Sequence, residues 1–389
     1  MINKLDADAY IRACRRIEKS AGWKYGTQRF IINRLSEISR LEKAVQRGRY
    51  KPESGQSFVS VENGKRRLIK SLAPADAVCQ HALTDEVLTP ALCRYLIYDN
   101  GAGLKGRGIS FTRRRFEEHI RWFYRRHGRN GYLLKIDFRK YFDNIRHDRV
   151  EEMVAGRIKD PMIISLLHSI LDSYKVDISY SDDAEISNEV FNSIEYAKIP
   201  KEKLVGKRYM RKSLGIGSPI SQIIGVFFPI YIDYWCKNVK HVHCYDVYMD
   251  DRAVISEDKR FLKDLLEEIS QIASDFGIHI NRKKTQIVKL THSFTWLKTR
   301  YQITETGKII RKMPRDVIVS ERRKLKKLAT KAENGEIPWR VVGEQYRSWR
   351  GGKEWYNAYH TLHNMDLLFK ELLENGRKAK RNHGKTGAD

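Results

Sequence analysis

The chain has 389 residues, of which 74 are Lys or Arg and 48 are Asp or Glu, a formal net charge of +26. That length buries a substantial core and calls for two or three packed subdomains. The cationic excess seeks a polyanion, and nucleic acid fits it better than a membrane surface, because no segment reads as a spanning helix or a signal peptide.

Five cysteines, at positions 14, 79, 93, 236 and 244, form no CxxC or Cys/His ligand spacing, so the sequence indicates neither a zinc site nor a disulfide framework. A reduced, cytoplasmic protein is the expectation. Residues 1–50 carry helical apolar periodicity (Tyr10, Ile11 and Ile17, then Phe30, Ile31, Leu35, Ile38 and Leu41) with Arg and Lys on the other faces, a basic helical arm. Next, "FVSVENGKRRLIK" alternates apolar residues around Asn63-Gly64, a strong hairpin signal. The hairpin would present Lys65, Arg66 and Arg67 near its turn.

The most concentrated basic stretch, "LKGRGISFTRRRFEEHIRWFYRRHGRN", begins at Leu104. Phe116, Ile120 and Phe123 recur at helical spacing on one side, which leaves Arg113, Arg114, Arg121, Arg125 and Arg126 outward. So dense a run fits phosphate contact, with a solvated charged face as the plainer reading.

Four segments then build a core. "YLLKI" is a strand ending at Asp137, followed by a helix beginning near residues 146–148. From 173 to 205 the chain turns acidic, polar and weakly periodic, as an insertion would. "SLGIGSPISQIIGVFFPIYIDYWCKNV" is a glycine turn and one long apolar helix, and "VHCYDVYMDDRAVIS" is a strand, a tight turn and a returning strand. Finally an amphipathic helix on Phe261, Leu265, Ile269, Ile272 and Phe276 is closed by Gly277 and leads into another strand. The order βα, αββ, αβ describes a split βαβ, ferredoxin-like α+β sheet with helices on one face.

If the strand ending at Asp137 lies beside the hairpin that carries Asp250 and Asp251, three carboxylates meet at one end of that sheet. Like charges so placed require cations. Hard divalent ions, Mg²⁺ by preference, satisfy them with oxygen ligands and keep positions for substrate phosphates. Two ions roughly 3.5 to 4 Å apart activate a 3′-hydroxyl and stabilise a leaving pyrophosphate, which is nucleotidyl transfer. An Asp pair alone is ordinarily a solvated turn; the ordered series of elements carries the reading.

"IDFRKYFDNIRH", "GIGSPISQ", "YMDD", "GIHINRKKTQI" and "FTWLKTRY" resemble successive motifs of reverse transcriptases, particularly those of bacterial retroelements, from about residue 60 to 300. "YRSWRGGKEWYNAYHTLHNMDLLF" resembles the thumb helices that follow. The resemblance implies a right-hand polymerase (fingers, palm, helical thumb) that copies an RNA template into DNA from dNTPs with two Mg²⁺ ions. It places the fingers at 51–130, the palm at 131–298, the thumb at 299–375 and a basic disordered tail at 376–389. Asp137, Asp250 and Asp251 would hold the metals, Asp251 less directly, with the backbone carbonyl of Phe138. Phe142 falls where the family sets a bulky ring against the sugar 2′ position. Lys65 and Arg67 match cations that grip the triphosphate, Ile216 and Gln222 line the nucleotide pocket, and Lys284 matches a residue that protonates pyrophosphate or is a plain surface lysine.

Where many relatives read Pro-Gln-Gly, this chain has Gly215, Ile216 and Gly217, followed by Ser221 and Gln222, a pattern resembling diversity-generating retroelements. Ile216 removes a hydrogen-bonding side chain beside the new base pair, so base discrimination is expected to weaken by roughly 0.5 to 1.5 kcal/mol. A misincorporation assay returning ordinary error opposite every template base would contradict this. Ala77, which follows Asp76 where relatives commonly have Arg, and the 173–205 insertion keep reverse transcriptases of phage-defence systems, which copy a companion noncoding RNA, equally open.

In the C-terminal third, Ser320 reads as a helix N-cap, Leu325 and Leu328 point inward, and the helix stops at Gly335. Trp349, Trp355, Tyr359, Leu362, Phe369 and Leu372 suggest two packed helices. No endonuclease or zinc-finger extension is evident, so an accessory protein or second subunit would supply such steps. The reading from another class is an RNA-binding, maturase-like scaffold without required polymerase activity.

Overall fold

The computed structural model describes residues 5–53, 55, 57–62, 65–177 and 209–383. The α+β chain divides into two compact units, one of residues 1–119, 134–254 and 260–286, the other of residues 120–133, 255–259 and 287–389. Among the described residues no helix is long and apolar enough to cross a membrane. None of the five cysteines forms a disulfide among the described residues, and four of them are buried.

In the first unit the basic arm forms three helices, Ala7–Ala21, Tyr25–Ile32 and Arg34–Gln46, the first capped by the Asp6 carboxylate accepting from the Ala9 amide. They bury Tyr10, Ile17, Phe30, Ile38 and Leu41 as the periodicity requires. Leu35 does not follow, being 70% exposed. The break at Asn33 restarts the helical phase, so a period carried across it assigns Leu35 to the wrong face.

The finger strands Ser57–Glu62 and Lys65–Lys70 pair antiparallel from Ser57↔Lys70 to Glu62↔Lys65. Asn63 and Gly64 lie outside the described residues. Most of the acidic insertion does too, although its flanks, Val176–Asp177 and Tyr209–Met210, pair antiparallel.

The central sheet has the strand order Gln286–Lys289, Tyr132–Ile136, Asp251–Ser256, Tyr245–Tyr248. The last two form a hairpin whose register, Tyr245↔Val254 to Tyr248↔Asp251, leaves a two-residue loop of Met249 and Asp250. Past Asp137, Phe138–Arg139 pairs with His279–Ile280. The helices His147–Ala155 and Lys259–Asp275 arise as the sequence suggests, the second on Leu265 and Ile269, with Gly277 at φ 79° beyond it. The expected single helix after the glycine turn is instead Pro219–Phe227, Ile230–Tyr234 and a wider turn at Trp235–Val239. Pro229 separates them because it has no amide hydrogen and crowds the preceding turn.

Behind the hairpin lies a polar network. His119 Nδ1 sits 2.8 Å from Oδ2 of the buried Asp246, while Asp99 pairs with Arg115 and Lys237, each at 2.8 Å.

The second unit holds a three-stranded meander, Phe294–Trp296, Thr299–Ile303 and Ile309–Lys312, then helices Arg315–Glu333, Trp339–Gly351 and Tyr359–His383. The helices pack around Leu325, Val342, Tyr346 and Met365. Ser320 is not the N-cap, since the helix begins a turn and a half earlier, at Arg315, behind Pro314. Tyr359 is no core residue. It is 76% exposed at the first position of its helix, where its ring stacks on His363.

Candidate active site

Asp137 ends the strand Tyr132–Ile136, and its backbone is gripped from a distant turn. Its carbonyl accepts from the Asn281 amide at 2.7 Å, and its amide donates to Thr285 Oγ1 at 3.2 Å. The same turn brings Lys284 Nζ to 3.5 Å from Asp137 Oδ2, an oxygen that is buried without a hydrogen bond. Asn281 and Thr285 had no mark in the sequence beyond their place beside Lys284.

Asp250 and Asp251 come from the hairpin, whose first loop residue, Met249, has φ 57°, the left-handed conformation that two-residue hairpin loops demand. The Asp251 carboxyl is pushed up to about 6, first by burial and then by the charges of Asp250 and Asp137. Carboxylates from two separate chain segments therefore share one field. As placed they do not close into a ligand shell: among the described residues no three His, Cys, Asp or Glu side chains are arranged around one point. An all-oxygen donor set, with like charges only partly offset by Lys284, Arg252 and Lys135, fits a hard divalent cation.

The nucleotide-side residues gather in the same unit. Phe142 is half-buried, and a Cβ built on Gly225 would lie 2.6 Å from its Cε1 atom. Its carbonyl accepts from the Leu214 amide at 3.0 Å, tying it to the glycine loop. Gly225→Ala is therefore expected to cost about 1 to 3 kcal/mol through overpacking, read as a lower melting temperature. Ile216 is half-buried and Gln222 exposed on the first turn of Pro219–Phe227. Gly217, at φ 105°, faces the finger strand, with Ile69 Cγ2 3.6 Å from where its Cβ would stand. Lys65 and Arg67 occupy that strand's backbone, paired with Glu62 and Ser60.

Sequence reasoning missed what fixes the loop. Ser218 Oγ and the Tyr174 hydroxyl both donate to Oε1 of the buried Gln80, at 2.6 and 3.3 Å, and the Tyr174 ring fills the space a side chain at Gly215 would need. Gln80 stands among apolar residues of the helix Pro74–Leu83, and that misplaced polarity was its only signal.

On the helix Ile109–His127, Phe116, Ile120 and Phe123 are buried as expected, and Arg114, Arg121, Arg125 and Arg126 are exposed. Arg113 departs from the set, being half-buried.

A family model described as reverse transcriptase (RNA-dependent DNA polymerase) matches residues 28–301. The chain belongs to the reverse transcriptase family. No curated protein matches it in sequence. Solved structures similar to this reverse transcriptase include apo telomerase from Candida tropicalis truncated from its C-terminal domain, at 13% identity and TM-score 0.47, covering 66% of this chain and 55% of that one. Telomerase from Candida albicans in complex with a fragment of telomeric RNA is similar at 11% identity and TM-score 0.47, covering 90% of this chain and 58% of that one. The chain thus spans somewhat over half the length of these telomerases.

Proposed function

We propose that this reverse transcriptase family member is an active RNA-directed DNA polymerase that makes cDNA from a noncoding or retroelement RNA. The observation that carries the reading is that the strand ending at Asp137 lies directly beside the strand that begins at Asp251, next to the hairpin loop that holds Asp250. Repulsion among carboxylates is unfavourable unless cations relieve it, and a scaffold has no physical use for it.

Asp137, Asp250, Asp251 and the Phe138 carbonyl would hold two Mg²⁺ ions, which when bound activate the primer hydroxyl and stabilise the departing pyrophosphate. The chain's own residues orient the reactants. Lys65 and Arg67 grip the triphosphate, with Arg offering paired donors. Ile216 and Gln222 line the pocket at the new base pair, and the Phe142 ring bars a 2′-hydroxyl. Lys284, already beside Asp137, is placed to deliver a proton to the pyrophosphate. We assign fingers to 51–130, palm to 131–298 and thumb to 299–375.

Arg114, Arg121, Arg125 and Arg126 line the nucleic acid in this reading, Arg113 in part. Replacing Arg121 and Arg125 together by Ala is expected to weaken RNA binding uniformly across sequences. The slope of log affinity against log salt would fall by about 1 per removed contact, measured by titration at several salt concentrations.

The motif pattern supports a cytoplasmic bacterial retroelement enzyme serving diversification or phage defence, with an accessory subunit. Primer extension by the purified protein on RNA templates with dNTPs and Mg²⁺ tests the activity. Labelled DNA product is expected, and RNA binding without any extension would leave the scaffold reading in its place. Sequencing RNA that copurifies with the protein separates the two biological settings.

A further inference from the structure

A buried cation closes the rear of the carboxylate turn. Arg252 directly follows the two aspartates, and its side chain is 0% exposed. Its Nε donates to Asp233 Oδ1 at 3.2 Å, an oxygen that also accepts from the Tyr245 hydroxyl at 2.7 Å. Its Nη1 turns the other way, to the backbone carbonyls of Asp250 at 3.2 Å and Met249 at 3.5 Å. The guanidinium carbon stands 5.0 Å from the centre of the Phe138 ring. One side chain therefore touches both limbs of the site, the hairpin loop that carries Asp250 and the segment that follows Asp137.

Two details separate this arrangement from an ordinary buried ion pair. Buried Arg–carboxylate pairs are frequently two-pronged forks. Here Asp233 takes one N–H, its Oδ2 has no hydrogen bond among the described residues, and the donors of Nη1 go to the loop. Met249 takes the left-handed φ of 57° that the two-residue loop requires without being glycine, so Nη1 of Arg252 holds the carbonyls of a loop whose conformation is costly for its first residue.

We infer that Arg252, anchored by Asp233, is a positioning residue that sets the Met249–Asp250 loop against the Asp137–Phe138 segment. The inference rests on the polymerase reading. Arg252 touches no reacting atom and acts through the backbone it holds.

The test uses the full chain and two variants. Arg252→Lys keeps the charge for Asp233 but not the planar fork that reaches two carbonyls as well. The double variant Asp233→Leu with Arg252→Met replaces the ion pair by apolar bulk, an exchange buried pairs often tolerate. Melting temperature, RNA affinity, kcat, KM for dNTP and the rise in melting temperature on adding Mg²⁺ are measured for each. Both variants are expected to fold and to bind RNA and dNTP as wild type does. Their kcat would fall about 10- to 100-fold, the usual loss when support behind metal ligands is removed, and the Mg²⁺-induced rise in melting temperature would shrink. A folded variant with wild-type kcat and a wild-type response to Mg²⁺ overturns the inference while leaving the polymerase reading intact. A wild-type protein that extends no primer overturns both. Should the double variant fail to fold, Arg252→Lys decides the matter.

Discussion

Asp250→Ala is expected to lower primer extension by about a thousandfold or more while RNA affinity stays close to wild type. Under the proposed function, ions held at this position would contribute several kcal/mol to the transition state, and about 1.4 kcal/mol corresponds to each factor of ten. The loss is large because Asp250 lies in the two-residue loop itself, whereas Asp251 is already paired into the strand opposite Tyr248. Asp251→Asn is expected to do less harm, about 10- to 100-fold, because the family resemblance makes Asp251 the less direct ligand. Single-turnover extension beside a binding titration reads both quantities. Extension by Asp250→Ala within tenfold of wild type would remove this carboxylate from the chemistry. Undiminished RNA affinity with no activity in the wild type as well would instead identify a scaffold.

The second large effect concerns the sugar. Phe142→Ala is expected to raise ribonucleotide use relative to deoxyribonucleotide use by about 10- to 200-fold, the range over which pocket size alone discriminates. The ring has little freedom. It meets Tyr141 edge-on at 5.3 Å between centroids, abuts Gly225, and its backbone is tied to Leu214. Its position is thus set by its own short helix, Tyr141–Asn144, and by two other segments before any nucleotide arrives. Extension in mixed nucleotide pools, followed by alkaline cleavage of the products, counts the embedded ribonucleotides. An unchanged ratio in a folded variant would make Phe142 an ordinary packing residue.

The two effects draw on different parts of the sequence signal. The strand before Asp137, the hairpin at Met249 and Asp250, and the stop at Gly277 were legible because each is encoded within a few residues, by alternation, by turn length or by a left-handed glycine. The Asn33 break and Pro229 misled because a helical period says nothing about where the period restarts. Arg252 was hidden for another reason. Its strand, Asp251–Ser256, is buried on both faces from Arg252 to Ile255, so alternation cannot mark which side a residue takes. Its partner Asp233 lies on another element, as do the partners of Gln80 and Asp137, and pairings of that kind leave no local pattern.

The span of one such pairing has a consequence for how the protein is made. Asp137 and Thr285, whose hydrogen bond fixes the end of the strand, are separated by 148 residues. Contacts of such separation are slow to form because the intervening loop must first be ordered. During synthesis at about 5 to 20 residues per second, Asp137 waits roughly 7 to 30 s before Thr285 has even been added. Until then the nascent chain carries Asp137 without its supporting turn, so the end of that strand is fixed only after Thr285 has been added.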